Sequence, residues 1–419
     1  MRESELIVKG YWWLPSKPEE SIAGVLTYNG KDRSTLELFG CFEEFDSQHY
    51  RRFDPDACGV ILGVTQKGVK YSLLNNIRSS FSTSAYEICT FTTNIILEGI
   101  HVSDMKQKCF TGEILSFKYL RNWFRKEMIK VQDTDDSQIY TCELNDISNG
   151  HSVKLQDGKE VIFIPTYRNA YTQWYDEIHL HQSTRIALTT PELYSVWDFL
   201  EKAKILQQFV SLLFLTPQYF DSMGLRLSGD EYYEVKVYVR NDDSIKPFPW
   251  AFLKYDIIKD KLDSILQKWF DCSEEFYPIQ NHLFRTLDPG KSIGNEDFLV
   301  VAQAIDGMTK MLYNPKLSCA NRVKMLYKQL EGILRLQNNR MDAEIFAKTR
   351  NFYAHMAKDK DYSLVAKGEN LIVLMQSSKL LLTCALLNMY GLSDNEIDEC
   401  LAHSPFTGWW HLNMKLPAD

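Results

Sequence analysis

An α+β chain is what this sequence predicts: a β-rich N-terminal domain of sandwich or barrel-like form, a mixed middle region, and an all-α helical bundle. Three observations carry that reading. From Leu6 to about Leu188 apolar residues recur in short runs with strand character, separated by polar turns. At Pro191 the period changes. From about Ile279 onward the pattern is helical throughout, with brief connections. The boundaries drawn on this basis are residues 1–190, 191–278 and 279–419. A chain of 419 residues exceeds one ordinary core, which agrees with such a division.

Taken in order, residues 6–13, 23–28 and 34–40 are β-prone runs, and Asn29-Gly30 after the second is a hairpin-type turn signal. Residues 59–64, 87–96, 113–117, 137–144 and 161–167 continue the strand theme, with one helical interruption at 119–127. Residues 193–215 read as a long helix, with Thr190 as its cap, Pro191 in its first turn and Pro217 closing it. Strand character returns over 225–239 and helix over 254–270. The bundle helices are expected at 296–312, 319–336, 341–356, 369–390 and 394–402.

Composition narrows the function classes. Apolar residues make up 45% and charged residues 24%, the balance of a soluble globular chain, and aromatics reach 13%, so cores rich in flat side chains are expected. The first residues have no long apolar run behind Arg2, which reads against a secretory signal. Residues 371–389 are the longest apolar stretch, but Gln376, Ser377, Ser378 and Lys379 near its middle argue for a buried helix rather than a membrane span. Nine cysteines without a CxxC pair suit free thiols, and the cytoplasm is the expected compartment. Net charge is −8, which discourages broad coating by nucleic acid. Yet residues 291–419 hold 15 Lys and Arg against 14 Asp and Glu, so basic groups there do not oppose their own domain. A phosphate-bearing partner is permitted. His179 and His181 alternate on one stretch without a third metal ligand nearby, and an exposed strand face is the plainer reading.

Chemistry concentrates in Lys348-Thr349-Arg350-Asn351-Phe352-Tyr353-Ala354-His355-Met356. Asn351 and His355 are four apart and share a helix face, where the amide can hold the imidazole. Arg350 lies roughly 140° around the axis from His355 and about 7.5 Å along it. One helix therefore does not close both groups on a small target, whereas two such helices across a symmetric interface would. A histidine that titrates near neutrality moves protons, and an arginine offers a fixed planar charge for a phosphoryl group. RNA cleavage by attack of a 2′-hydroxyl on its own phosphate needs those two services and no metal. Asp306 and Glu331 are candidates to orient Arg350, although helix-surface charges are the commoner use of such residues. Tyr353 is a candidate base-stacking group and the Trp409-Trp410 pair a candidate for binding a base or a partner, with packing roles the plainer account.

Arg350-Asn351-Phe352-Tyr353-Ala354-His355, at the end of the third helix of a short-looped bundle, resembles the RxxxxH signature of HEPN domains. A long β-rich region ahead of it, including Phe110-Thr111-Gly112-Glu113-Ile114-Leu115-Ser116-Phe117, resembles the ApeA-like anti-phage proteins. The resemblance implies an all-α HEPN bundle, a homodimer or higher oligomer through it, and metal-independent endoribonuclease activity leaving a 2′,3′-cyclic phosphate. It implies abortive infection, with host RNA as target, tRNA among the candidates, and a phage-derived trigger sensed by the N-terminal region. In those terms His355 is the proton-transfer group, Arg350 the phosphate stabiliser and Asn351 the positioning residue. No cofactor, metal or membrane is implied. Two other classes remain: a non-catalytic HEPN module that binds nucleotides or proteins, and a ligand-binding β protein with a helical dimerisation tail.

Overall fold

The computed structural model describes residues 5–30, 33–42, 59–82, 87–124, 129–134, 136–142, 150–171, 178–239, 249–287, 294–336, 339, 341–355 and 362–402. Contacts divide the chain into two compact units, one of residues 1–204 with 219–246, the other of residues 205–218 with 247–419. Residues 191–278, read from sequence as one middle region, are thus shared between them.

The first unit is built on a closed antiparallel barrel. Its strands are β1 (Leu6–Trp13), β2 (Ile22–Tyr28), β3 (Ser34–Leu38), β4 (Val60–Thr65), β5 (Lys70–Ser82) and β6 (Ile88–Glu98). The pairings β1–β2, β2–β3, β3–β6, β6–β5, β5–β4 and β4–β1 return to their start. Closure removes the unpaired edges that would otherwise invite aggregation. Trp12, Leu26, Leu36, Leu73 and Phe91 are fully buried in its core. Gly63 faces the Trp12 ring so closely that a Cβ there would lie 2.2 Å from it, so only glycine admits the indole.

β6 is long enough to serve two neighbours on one edge. Its residues 89–93 pair with β3, and 95–98 pair with β14 (Asp230–Val239). From β14 the sheet continues through β13 (Phe220–Leu227), β7 (Phe110–Phe117), β12 (Ile178–Tyr194), β11 (Glu160–Tyr171) and β10 (His151–Lys154). A separate hairpin pairs β8 (Ile129–Asp133) with β9 (Gln138–Cys142). The barrel-like outcome expected from sequence is therefore present, extended by a sheet.

Three local expectations change. Thr190 and Pro191 do not open a helix, because β12 runs on to Tyr194. Helix α2 (Val196–Phe214) is started instead by Ser195, whose N–H donates to Asp198 Oδ2 at 2.9 Å while its Oγ accepts from Asp198 N at 3.3 Å. The strand expected at 225–239 is a hairpin of β13 and β14, turned at Gly229 with φ of +86°. Of the helix expected at 119–127, α1 (Leu120–Trp123) is formed, and residues 125–128 lie outside the described set.

Glu113 places a carboxyl among buried apolar residues. It is fully buried on β7, across from Leu188 and Leu225, and among the described residues neither carboxylate oxygen has a hydrogen-bond partner. Burial pushes its carboxyl well above the usual range, and Lys202 on α2 offsets this only in part. The folded state therefore holds a proton that the unfolded chain releases, and stability falls as pH rises from the ordinary carboxylate range toward the folded value. Glu113→Leu is expected to stabilise the protein by about 1–3 kcal/mol at neutral pH. Urea denaturation of both proteins at pH 5 and pH 8 checks it: the gap should widen at the higher pH.

The second unit is helical: α3 (Tyr255–Ile258), α4 (Leu262–Asp271), α5 (Ser273–Thr286), α6 (Asn295–Leu312), α7 (Cys319–Gln329), α8 (Glu331–Leu336), α9 (Ala343–His355), α10 (Glu369–Met389) and α11 (Asp394–Ala402). The expected helix over 319–336 is broken at Leu330 into α7 and α8, and α5 begins earlier than the sequence suggests. α10 is long and apolar enough to cross a membrane by length and composition, but most of that stretch is buried against its neighbours. Lys379 at its middle is 4% exposed and donates to the Thr286 carbonyl at the end of α5 at 2.5 Å.

Candidate functional site

The motif helix α9 starts where its sequence dictates. Asp342 Oδ1 accepts from Glu344 N at 2.7 Å and Ile345 N at 3.0 Å, satisfying two donors that every helix start leaves open. Just before it, buried Asn339 donates to the Ser377 carbonyl at 2.9 Å and accepts from Met341 N at 3.0 Å.

Positions 346, 349 and 353 form the inner face of α9. Phe346 and Tyr353 meet Phe298 of α6 edge-on, with ring centroids 5.9 and 6.4 Å apart. Thr349 is fully buried, and its Oγ1 accepts from Ala366 N at 3.0 Å, while the Tyr353 hydroxyl donates to the Ala366 carbonyl at 3.5 Å. Tyr353 is thus a packing residue of this unit. The helix is fixed in rotation from both sides, which determines where Arg350, Asn351 and His355 point.

Arg350 turns toward α6 and α7. Its Nη2 donates to Asp306 Oδ2 at 3.1 Å, and its Nη1 donates to Asn351 Oδ1 at 3.0 Å. Asp306 is buried on α6 and receives two further cations. Arg322 of α7 reaches its Oδ1, and Lys310 Nζ reaches its Oδ2 at 2.9 Å. Burial alone would raise the Asp306 carboxyl, but hydrogen bonds from Lys310 and Arg322 and the charge of Arg350 hold it below the usual range. Arg322 is itself buried, with Nη1 donating to the carbonyls of Pro315 and Leu317 before α7. Cys319, first residue of α7, lies beside this cluster, and burial together with Asp306 pushes its thiol up to about 11.

Asn351 and His355 share the exposed side of α9, as their spacing requires. The structure joins Asn351 to Arg350 rather than to the imidazole, because an adjacent guanidinium has donors to spare. His355 ends the helix, exposed, with no hydrogen-bond partner among the described residues. Of the two acids singled out from sequence, Asp306 is the one that reaches Arg350. Arg322 and Lys310 carry no local signal in the sequence beyond the four-residue step from Asp306 to Lys310 on one helix.

The remaining candidates lie elsewhere. His179 and His181 are both on β12, and His181 is exposed. Trp409 and Trp410 fall outside the described residues. Among the described residues no group of three or more His, Cys, Asp or Glu side chains is placed to hold a metal ion.

Comparison with known proteins adds a family. The family described as ApeA N-terminal domain 1 matches residues 7–269, and the one described as Apea-like HEPN matches residues 294–396, which include α9. No curated protein and no solved structure matches.

Proposed function

This chain belongs to the ApeA family, with a defence-related HEPN nuclease module at residues 294–396, and from that premise we propose that it is an anti-phage effector cutting host RNA. The observation that carries the proposal is the pairing of a fixed arginine with an exposed histidine on one helix. Arg350 is held by buried Asp306, and His355 stands exposed five residues later.

In this reading the RNA 2′-oxygen bonds to the adjacent phosphorus and the bond to the 5′-oxygen breaks. His355 takes the proton from the 2′-hydroxyl, and a second imidazole delivers one to the departing 5′-oxygen. That leaves a 2′,3′-cyclic phosphate and a 5′-hydroxyl, with no metal in either step. Arg350 meets the charge that grows on the phosphoryl oxygens, and its planar fork retains N–H groups beyond those given to Asp306 and Asn351. Asn351 positions that fork. A homodimer through α9 supplies the second histidine and closes the gap that one helix leaves. The N-terminal unit senses a phage component or restrains the nuclease, and the protein acts in the cytoplasm on tRNA or another host RNA.

Mapping RNA ends in infected cells that carry wild type or His355→Ala tests the proposal. New cleavage ends and growth arrest are expected with wild type alone. Equal arrest and identical ends in both would overturn it and favour a HEPN module that only binds nucleotides or proteins.

A further inference from the structure

Among the described residues the charge balance around Asp306 does not close. There one buried carboxylate faces Arg350, Arg322 and Lys310, an excess of two positive charges. The three cations are not equivalent. Arg322 is 4% exposed, and its Nη2 and Nη1 go to Asp306 Oδ1 and to two backbone carbonyls, which hold it in place. Lys310 and Arg350 instead share the other oxygen, Oδ2, at 2.9 and 3.1 Å. Lys310 is half exposed and ends in a flexible ammonium, which trades a carboxylate oxygen for a phosphate oxygen readily.

We infer that Lys310 is a second phosphate-binding residue for RNA, and that it exchanges Asp306 for the backbone phosphate next to the one held by Arg350. The inference rests on the RNA-cutting function proposed above and adds a residue to that site. Arg350 and Lys310 sit within hydrogen-bond reach of a single oxygen, a spacing that suits neighbouring non-bridging oxygens or successive phosphates. When Lys310 departs, Asp306 keeps Arg322 and Arg350, so the arginine fork stays in place. The two surplus charges match two phosphodiester anions, which also relieves the repulsion between the cations.

The test is RNA binding by the full chain carrying His355→Ala, so that the probe is not cut. A short mixed-sequence single-stranded RNA is titrated over a range of salt, with and without Lys310→Ala. The plot of log affinity against log salt is expected to flatten by about 0.7 for each Lys310 the RNA engages. Between about 50 and 200 mM salt that shrinks the advantage of the parent roughly threefold. Lys310→Arg should restore the slope. If Lys310 serves only α6 through its pair with Asp306, Lys310→Ala lowers the melting temperature and leaves the slope unchanged, which overturns the inference while the RNA-cutting reading stands. Failure of the His355→Ala parent to bind RNA overturns both.

Discussion

His355→Ala is expected to lower RNA cleavage by about 10²–10⁴-fold while leaving the melting temperature where it was, since proton transfer is worth that much and the side chain is exposed. Arg350→Ala should cost about 10²–10³-fold, the worth of one donor set aimed at developing charge. The two variants differ in a way that separates chemistry from structure. Arg350 is 23% exposed and ion-paired with Asp306, so its loss also destabilises the second unit. His355 gives the cleaner measurement. Arg350→Lys keeps the charge but loses the fork that reaches Asp306 and Asn351 together, and should recover little activity. Cleavage rates on one RNA, with thermal unfolding alongside, check all three.

Asp306→Ala is expected to be the most destabilising single change at the site, by about 3–5 kcal/mol, because it leaves buried Arg322 without its counter-charge. Cleavage should fall with it, since Arg350 loses the oxygen that orients Nη2. Asp306→Asn keeps the shape and removes the charge, which separates packing from electrostatics. The sign of the pH dependence follows from the lowered Asp306 carboxyl. Its contribution is present above the unfolded-state carboxylate value and is lost as pH falls through the lower folded value. The stability gap between wild type and Asp306→Asn should therefore be full at neutral pH and close in acid. Urea midpoints across that range give the measurement.

The motif helix was legible because its chemistry is local: Arg350, Asn351 and His355 lie within six residues, and helical spacing alone says which share a face. The bundle was legible for the same reason, each helix carrying its own period. Asp306 was visible as a candidate only, since a partner 44 positions away is decided by how α6 and α9 pack, which no local pattern encodes. Arg322 was hidden more deeply, as one basic residue among several on α7. The sheet failed where local chemistry misleads. Thr190-Pro191 looks like a helix start, yet the Ser195 and Asp198 pair performs that task five residues later. β5 is absent from the sequence reading, and Asn75-Asn76 is a polar break within it, where Asn75 adopts a φ of +57° inside the strand. The insertion of β13 and β14 between β7 and β6 is a long-range pairing, and only the turn at Gly229 hints at the hairpin itself. Pro278 inside α5 concealed the start of the helical unit.

A metal-free nuclease built on Arg350 and His355 is tested most directly by cutting RNA with the purified chain in excess chelator and reading the chemistry of the new 3′ ends. Cleavage that persists, leaves 2′,3′-cyclic phosphates and disappears in His355→Ala is the expected result. Cleavage that stops with the chelator, or that His355→Ala performs as well as wild type, would contradict it.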